Sequence, residues 1–269
     1  MTKPRETILD TPRGPMRVWK KGKGKRVGVF AGIGGQPRWT PFLDALADSR
    51  QVIVPSLPGF PGGPSSDGID GHLDWIVAAR DAMVAAGLSG ADLVGASVGG
   101  ALAAELASLW PDDVRRLALI APFGLFDEAE PMADIFAQPP GGLARLVSNK
   151  PETFDAFLAM PEGANKMDWD ITSLRARVAA ASLIWPLGDT GLITRVSRLT
   201  AQTLILQGDQ DRVIPAAYAK RLAKAINGKT KVRTIKTAGH VAECDQPAAT
   251  AKAILSFLNA CSRQQAYEA

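Results

Sequence analysis

The chain has 269 residues, enough for one large domain or for one domain carrying an insertion. Hydrophobic residues make up 46% and charged residues 22%, and 31 Lys+Arg against 27 Asp+Glu leave a net charge of +4, so a disordered chain is excluded and a buried core is expected. The basic excess sits largely in Lys20–Arg26 without interleaved aromatics, which argues against a nucleic-acid-binding surface, and the 26 Gly and 19 Pro are too dispersed for a collagen-like or low-complexity chain.

From the N-terminus, β-rich runs predict strands at Thr7–Leu9, Met16–Trp19, Arg26–Ala31, Gln51–Pro55, Asp92–Ala96, Arg116–Ala121, Thr203–Gln207 and Val232–Ile235. Helical stretches are predicted between several of them, at Pro41–Ala47, His72–Ala86, Gly100–Leu109, Ala216–Ile226 and Ala248–Cys261. Strand–helix alternation implies an α/β protein with a mostly parallel sheet covered on both faces, and the first two runs read as an antiparallel start. Val27–Phe30, Leu117–Ile120 and Leu204–Leu206 are continuously apolar, as in strands buried on both sides. Between Phe123 and Arg198 the strand signal stops, and helices are expected at Pro131–Ala137, Gly142–Ser148, Glu152–Met160, Ile171–Leu183 and Thr190–Ser197. About 75 residues without a strand are too many for a crossover loop, which suggests a helical cap inserted into the core. The expected division is 1–122 and 199–269 for the core and 123–198 for the cap.

Gly95-Ala96-Ser97-Val98-Gly99 follows a strand and opens a helix of small residues. G-x-S-x-G in that context is a nucleophile elbow, a tight turn that lifts a serine oxygen to a helix N-terminus. Asp211 lies just past the Thr203–Gln207 strand, where a carboxylate can orient an imidazole, while Asp209 is read as a turn former. His240 follows the Val232–Ile235 strand, and the order Ser97…Asp211…His240 is that of one hydrolase architecture. The loop Ala31-Gly32-Ile33-Gly34-Gly35 can bring backbone N–H groups close to a ligand, as an oxyanion hole shared with the Val98 amide. A phosphate loop is disfavoured there, because Pro37 stands where G-x-G-x-x-G needs glycine and no G-K-[ST] exists.

Taken together, the Ala31–Gly35 loop, Leu57-Pro58-Gly59-Phe60, the elbow, the Asp211 segment and His240 resemble the α/β-hydrolase superfamily over almost the whole chain, the cap matching least. The resemblance implies an eight-stranded sheet with helices on both faces and a helical cap. It implies a serine hydrolase with Ser97 as nucleophile, His240 as general base and Asp211 as triad acid, with the amides of Ile33 and Val98 as oxyanion donors and Gly34 as the alternative to Ile33. Ala31 departs from the histidine that many relatives carry before the loop glycine, and Ser97 disfavours the members with a nucleophilic aspartate. No cofactor or metal is expected. A carboxylic ester with a small to medium acyl part is the expected substrate, with carbon–carbon bond hydrolysis of aromatic ring-cleavage products as one alternative and a non-catalytic ligand-binding role as another. Trp185 and Arg195, in and just beyond the segment Trp185–Leu192, are candidate substrate contacts, Arg195 by analogy with the arginine that carbon–carbon hydrolases place against a substrate carboxylate. The same segment also fits a hinge between cap and core. Met160, Met167, Phe154, Phe157, Trp169 and Trp185 could line an acyl pocket or form the cap's own core.

Cys244 and Cys261 cannot build a disulfide framework, and His72 reads as a capping or surface residue. The charged N-terminus lacks a signal-peptide h-region and no run of about 18 apolar residues is present, so a cytoplasmic protein without membrane spans is expected, with a homodimer compatible with the resemblance.

Overall fold

The structure, a computed structural model, describes residues 3–186 and 190–260. Leu187, Gly188 and Asp189 of the expected hinge, and Cys261, lie outside the described residues. The chain opens with an antiparallel pair, β1 (Arg5–Thr11) and β2 (Gly14–Lys21). It continues through β3 (Arg26–Phe30), α1 (Pro41–Ala47), β4 (Gln51–Pro55), α2 (His72–Ala85), β5 (Ala91–Ala96), α3 (Ser97–Leu109) and β6 (Val114–Ile120). After the helices α4 (Gly142–Val147), α5 (Pro151–Leu158), α6 (Lys166–Ile184) and α7 (Leu192–Arg195) come β7 (Gln202–Gly208), α8 (Ala216–Ala225), β8 (Thr230–Ile235), α9 (Ala242–Asp245) and α10 (Pro247–Asn259). The eight strands form one sheet in the order β1-β2-β4-β3-β5-β6-β7-β8, parallel from β4 to β8.

Alternation along the strands divides the core. Leu93, Leu117, Leu119 and Ile205 point to one face, where α2, α3 and α8 cover them. Val94, Ala118, Ile120, Leu204 and Leu206 point to the other, under α1 and α10. Both faces are apolar, which is why these strands read as unbroken hydrophobic runs.

The strand order fixes where a site can form. From β3 the chain moves outward to β4 and returns on the other side as β5, so the loops after β3 and β5 part at the sheet's C-terminal edge. The pairing of Phe30 with Gly95 ends both strands together there. Pairing of Gly208 with Ile235 brings the loops after β7 and β8 to the same edge.

Between β6 and β7 the described residues contain no strand. One expected helix, Pro131–Ala137, is absent: Asp134 accepts the amides of Phe136 and Ala137 through its side chain, and Ala133 donates instead to the Val213 carbonyl. An aspartate that caps its own neighbours competes with the helical ladder.

Candidate active site

The elbow is built by close approach. A Cβ on Gly95 would lie 2.6 Å from the Gly99 carbonyl oxygen and 2.7 Å from Ala103 Cβ, and one on Gly99 would lie 2.7 Å from the Phe30 carbonyl oxygen. Glycine at both positions therefore lets α3 start directly off β5 and against β3. Ser97 has φ 53°, a left-handed conformation that a non-glycine residue adopts rarely, and this turns its side chain out of the strand–helix junction. Gly32 is equally constrained, since a Cβ there would sit 3.0 Å from Ser97 Cβ.

Three residues remote in sequence meet at this point. Ser97 Oγ lies 2.9 Å from His240 Nε2, and His240 Nδ1 lies 3.3 Å from Asp211 Oδ2. The Ser97 and His240 residues are 2% and 1% exposed, so the pair is shielded from bulk water. The second carboxylate oxygen of Asp211, Oδ1, accepts the backbone amides of Val213 (2.9 Å) and Ile214 (3.1 Å). Burial pushes the Asp211 carboxyl upward, but the adjacent His240 and the two amide bonds outweigh it and hold the group below the usual aspartate value. Asp211 is thus an anion aimed at one imidazole nitrogen, leaving the other facing the serine. Asp209, as expected, serves the turn: its Oδ1 accepts the Ala238 amide at 3.4 Å and its Oδ2 lies 3.6 Å from Lys236 Nζ.

Sequence reading missed the residue that sets the histidine loop. Asp245, fully buried, accepts Ser148 Oγ (2.5 Å) on Oδ1, and the amides of Asn149 (3.0 Å) and Gly239 (2.7 Å) on Oδ2. It ties the residue preceding His240 to the chain after α4, and Arg212 donates to the Ser148 and Arg145 carbonyls beside it. The only signal was an acidic residue five positions after His240. Phe123, edge-on to the His240 ring at 5.3 Å, was likewise unmarked.

On the other flank, Gly35 N donates to Gly32 O across a turn with Ile33 and Gly34 at its centre. Gly34 has φ 84°, the value that the third residue of a type II turn requires, and a Cβ there would meet Leu158 Cδ2 of α5 at 2.7 Å. Val98, second in α3, carries an amide in the first helical turn, where no carbonyl four residues back can accept it. Behind this turn lies a small cavity lined by Ile33, Gln36, Thr40, Phe154, Phe157 and Glu243 among others. Glu243 Oε2 is sealed from solvent without a partner, and burial, with Asp245 nearby, pushes this carboxyl up to about 7. Burial and the same two acids push the Cys244 thiol well up.

Arg195 Nε and Nη2 donate to Glu105 Oε2 (2.7 Å) and Oε1 (2.5 Å), and Nη2 also reaches the Thr190 carbonyl (2.7 Å). Glu105 on α3 is fully buried, so this guanidinium neutralises an interior carboxylate. Trp185 is 70% exposed and is absent from the cavity beside Ile33. His72 joins the Glu105 pair through Nε2 (3.2 Å) and meets the Leu183 carbonyl through Nδ1 (3.0 Å), linking α2, α3 and α6. Of the apolar candidates, Phe154 and Phe157 line the cavity, while Met160 and Met167 face solvent. Among the described residues, no three His, Cys, Asp or Glu side chains converge as a metal site would require, and no helix is long and apolar enough to cross a membrane.

Comparison with known proteins agrees with the fold. A 2-hydroxymuconate semialdehyde hydrolase of Pseudomonas sp. (strain CF600) is 26% identical over 86% of this chain and 84% of its own. Among solved structures, a 2-hydroxy-6-oxo-6-phenylhexa-2,4-dienoate hydrolase from Rhodococcus sp. strain RHA1 superposes with a TM-score of 0.76 at 19% identity, covering 96% of this chain and all of that one. Naproxen esterase from Bacillus subtilis superposes with a TM-score of 0.74 at 16% identity, covering 96% and 92%. The sequence profile of the alpha/beta hydrolase family matches residues 30–253, and the chain belongs to that family.

Proposed function

We propose that this hydrolase cleaves carboxylic esters of small to medium acyl chain length through Ser97, His240 and Asp211. The observation that carries the reading is the relay of contacts from Ser97 Oγ to His240 Nε2 at 2.9 Å and from His240 Nδ1 to Asp211 Oδ2 at 3.3 Å. His240 accepts the Ser97 proton as Oγ adds to the ester carbonyl, and Asp211 holds the imidazole tautomer and stabilises the imidazolium. The amides of Ile33 and Val98 receive the oxyanion, a role in which one lost donor costs about 10²–10³ in rate in a well-studied protease. His240 then protonates the departing alkoxide, leaving an acyl group on Ser97. Water deprotonated by His240 attacks that ester, and Ser97 leaves with the acid released. Residues 123–198 act as the cap, with Phe154, Phe157 and Leu158 forming its contact with the Ile33–Gly34 turn.

A second reading, hydrolysis of a carbon–carbon bond in an aromatic ring-cleavage product, is favoured by the name and sequence identity of the Pseudomonas relative. It uses the same three residues. The engagement of Arg195 by Glu105 weighs against it, because that side chain was the expected partner for the substrate carboxylate. Initial rates on p-nitrophenyl esters of graded acyl length, and on a ring-cleavage dienoate, with wild type beside Ser97→Ala, decide between them. Ser97-dependent ester turnover with none on the dienoate supports the first reading, and the reverse pattern supports the second.

A further inference from the structure

Helix α6 is apolar on two opposite sides. One carries Ala176, Ala179, Ala180, Leu183 and Ile184, all buried against the body of the protein, where the helix packs on α2 and α3. The other carries Met167 (71% exposed), Ile171 (44%), Leu174 (61%) and Val178 (58%). At about 100° per residue, these four lie within roughly 40° of the line opposite the buried face. Their spacing of four, three and four residues continues through Ala181 to Trp185, the a/d seam of a coiled coil. Contiguous exposed apolar surface of this kind marks an interaction face in a soluble chain.

The charges beside the seam say what fits it. One flank holds Asp168 and Arg175, the other Asp170 and Arg177, so each flank carries an acid toward the N-terminus and a base one heptad later. We propose that a second copy of this chain docks here, with its α6 antiparallel to the first about a twofold axis between Thr172 and Ser173. That register sets Ile171 against Leu174 of the second copy and Met167 against its Val178. It faces Asp168 with Arg175 and Asp170 with Arg177 across the seam, and the twofold repeats every pair. A parallel pair matches only Asp170 with Arg175. In the single chain Asp170 bonds Lys166 on the surface (2.6 Å, side chains 59% and 80% exposed), a pair of the kind that contributes little and exchanges readily. The face is the patterned, self-complementary kind that e and g charges orient.

Sedimentation velocity over a wide concentration range tests this. Wild type is expected to show a reversible monomer–dimer equilibrium. Asp168→Arg with Asp170→Arg makes both flanks wholly basic, and Arg175→Asp with Arg177→Asp makes them wholly acidic. Each double variant alone is expected to lose the dimer while keeping the melting curve of dilute, monomeric wild type, and an equimolar mixture of the two is expected to regain the dimer as a heterodimer. Leu174→Glu is expected to remain monomeric in any mixture. A wild type that stays monomeric at every concentration overturns the proposal. So does a dimer that survives in both charge variants, or a mixture that fails to restore it. Flotation of monomeric wild type with phosphatidylcholine vesicles, lost in Leu174→Glu, would assign the stripe to a lipid surface and also overturn it.

Discussion

The elbow's dependence on close backbone approach is tested by Gly95→Ala. The added Cβ would lie 2.6 Å from the Gly99 carbonyl oxygen, 2.7 Å from Ala103 Cβ and 2.8 Å from Gly100 Cα, where real contacts begin at about 3.0 Å and are comfortable beyond 3.4 Å. Two of these three atoms belong to backbone in the first turn of α3, so no side-chain rotation relieves them. The start of α3, which carries Ser97 and the Val98 amide, must move off β5 by about 0.4–0.8 Å. Catalytic groups must hold to about 0.5 Å and a 1 Å misplacement can cost about 10²-fold, so labelling of Ser97 by a fluorophosphonate should slow by about 10-fold or more. Overpacking of this kind costs about 1–3 kcal/mol, which for a chain of this size lowers Tm by about 2–10 °C. The labelling rate is read by stopped aliquots and mass spectrometry, and Tm by circular dichroism. Adding Ala103→Gly, which removes the contact with the side chain, should restore part of the stability. A Gly95→Ala protein with wild-type labelling and melting would refute the account of the elbow.

Asp211→Asn should preserve the fold but lower kcat by about 10³–10⁴, since the amide presents the wrong hydrogen-bonding partner to His240; a protease with the same substitution loses about 10⁴. Burial holds the Glu243 carboxyl at about 7 against an ordinary 4.5. The native state then binds more protons than the unfolded state between those values, so stability falls as pH rises through that window. Glu243→Gln removes this slope, and chemical denaturation from acid to neutral pH should show the variant gaining on wild type by about 1–3 kcal/mol. Parallel stability curves would contradict the burial of that carboxyl. Asp245→Ala deletes the acceptor for three donors and should cost about 2–4 kcal/mol together with a fall in kcat, because the chain around Gly239 and His240 loses its anchor. Arg195→Ala should destabilise by about 3–5 kcal/mol, because the buried Glu105 loses its guanidinium partner and is left beside His72. A selective rise in KM for carboxylate-bearing substrates, without loss of stability, would return Arg195 to the substrate site.

Strand and helix positions were legible because the sheet is buried on both faces, which concentrates apolar residues into short runs such as Leu117–Ile120. The serine, aspartate and histidine were legible because each follows a separate strand, and parallel strands deliver their ends to one edge. What failed to show was local competition and tertiary pairing. Asp134 captures amides that a helix over Pro131–Ala137 would need. Arg195 looked available for a ligand because Glu105, its partner, is 90 residues away on α3. Asp245 and Glu243 sit within five residues of His240, yet nothing in their spacing distinguishes the carboxylate that anchors the loop from the one with an unpaired buried oxygen. The stripe on α6 is periodic in the sequence, but periodicity alone leaves open which apolar face meets the core, and on this helix there are two.

The central claim is that Ser97 is an activated nucleophile for ester hydrolysis. Initial rates on p-nitrophenyl esters from acetate to decanoate, with wild type beside Ser97→Ala and fluorophosphonate adducts mapped in parallel, test it most directly. The account predicts turnover that peaks at a small or medium acyl length, vanishes in Ser97→Ala, and accompanies a single adduct on Ser97. An ester rate unchanged in Ser97→Ala, or a wild type with neither turnover nor adduct, would contradict it.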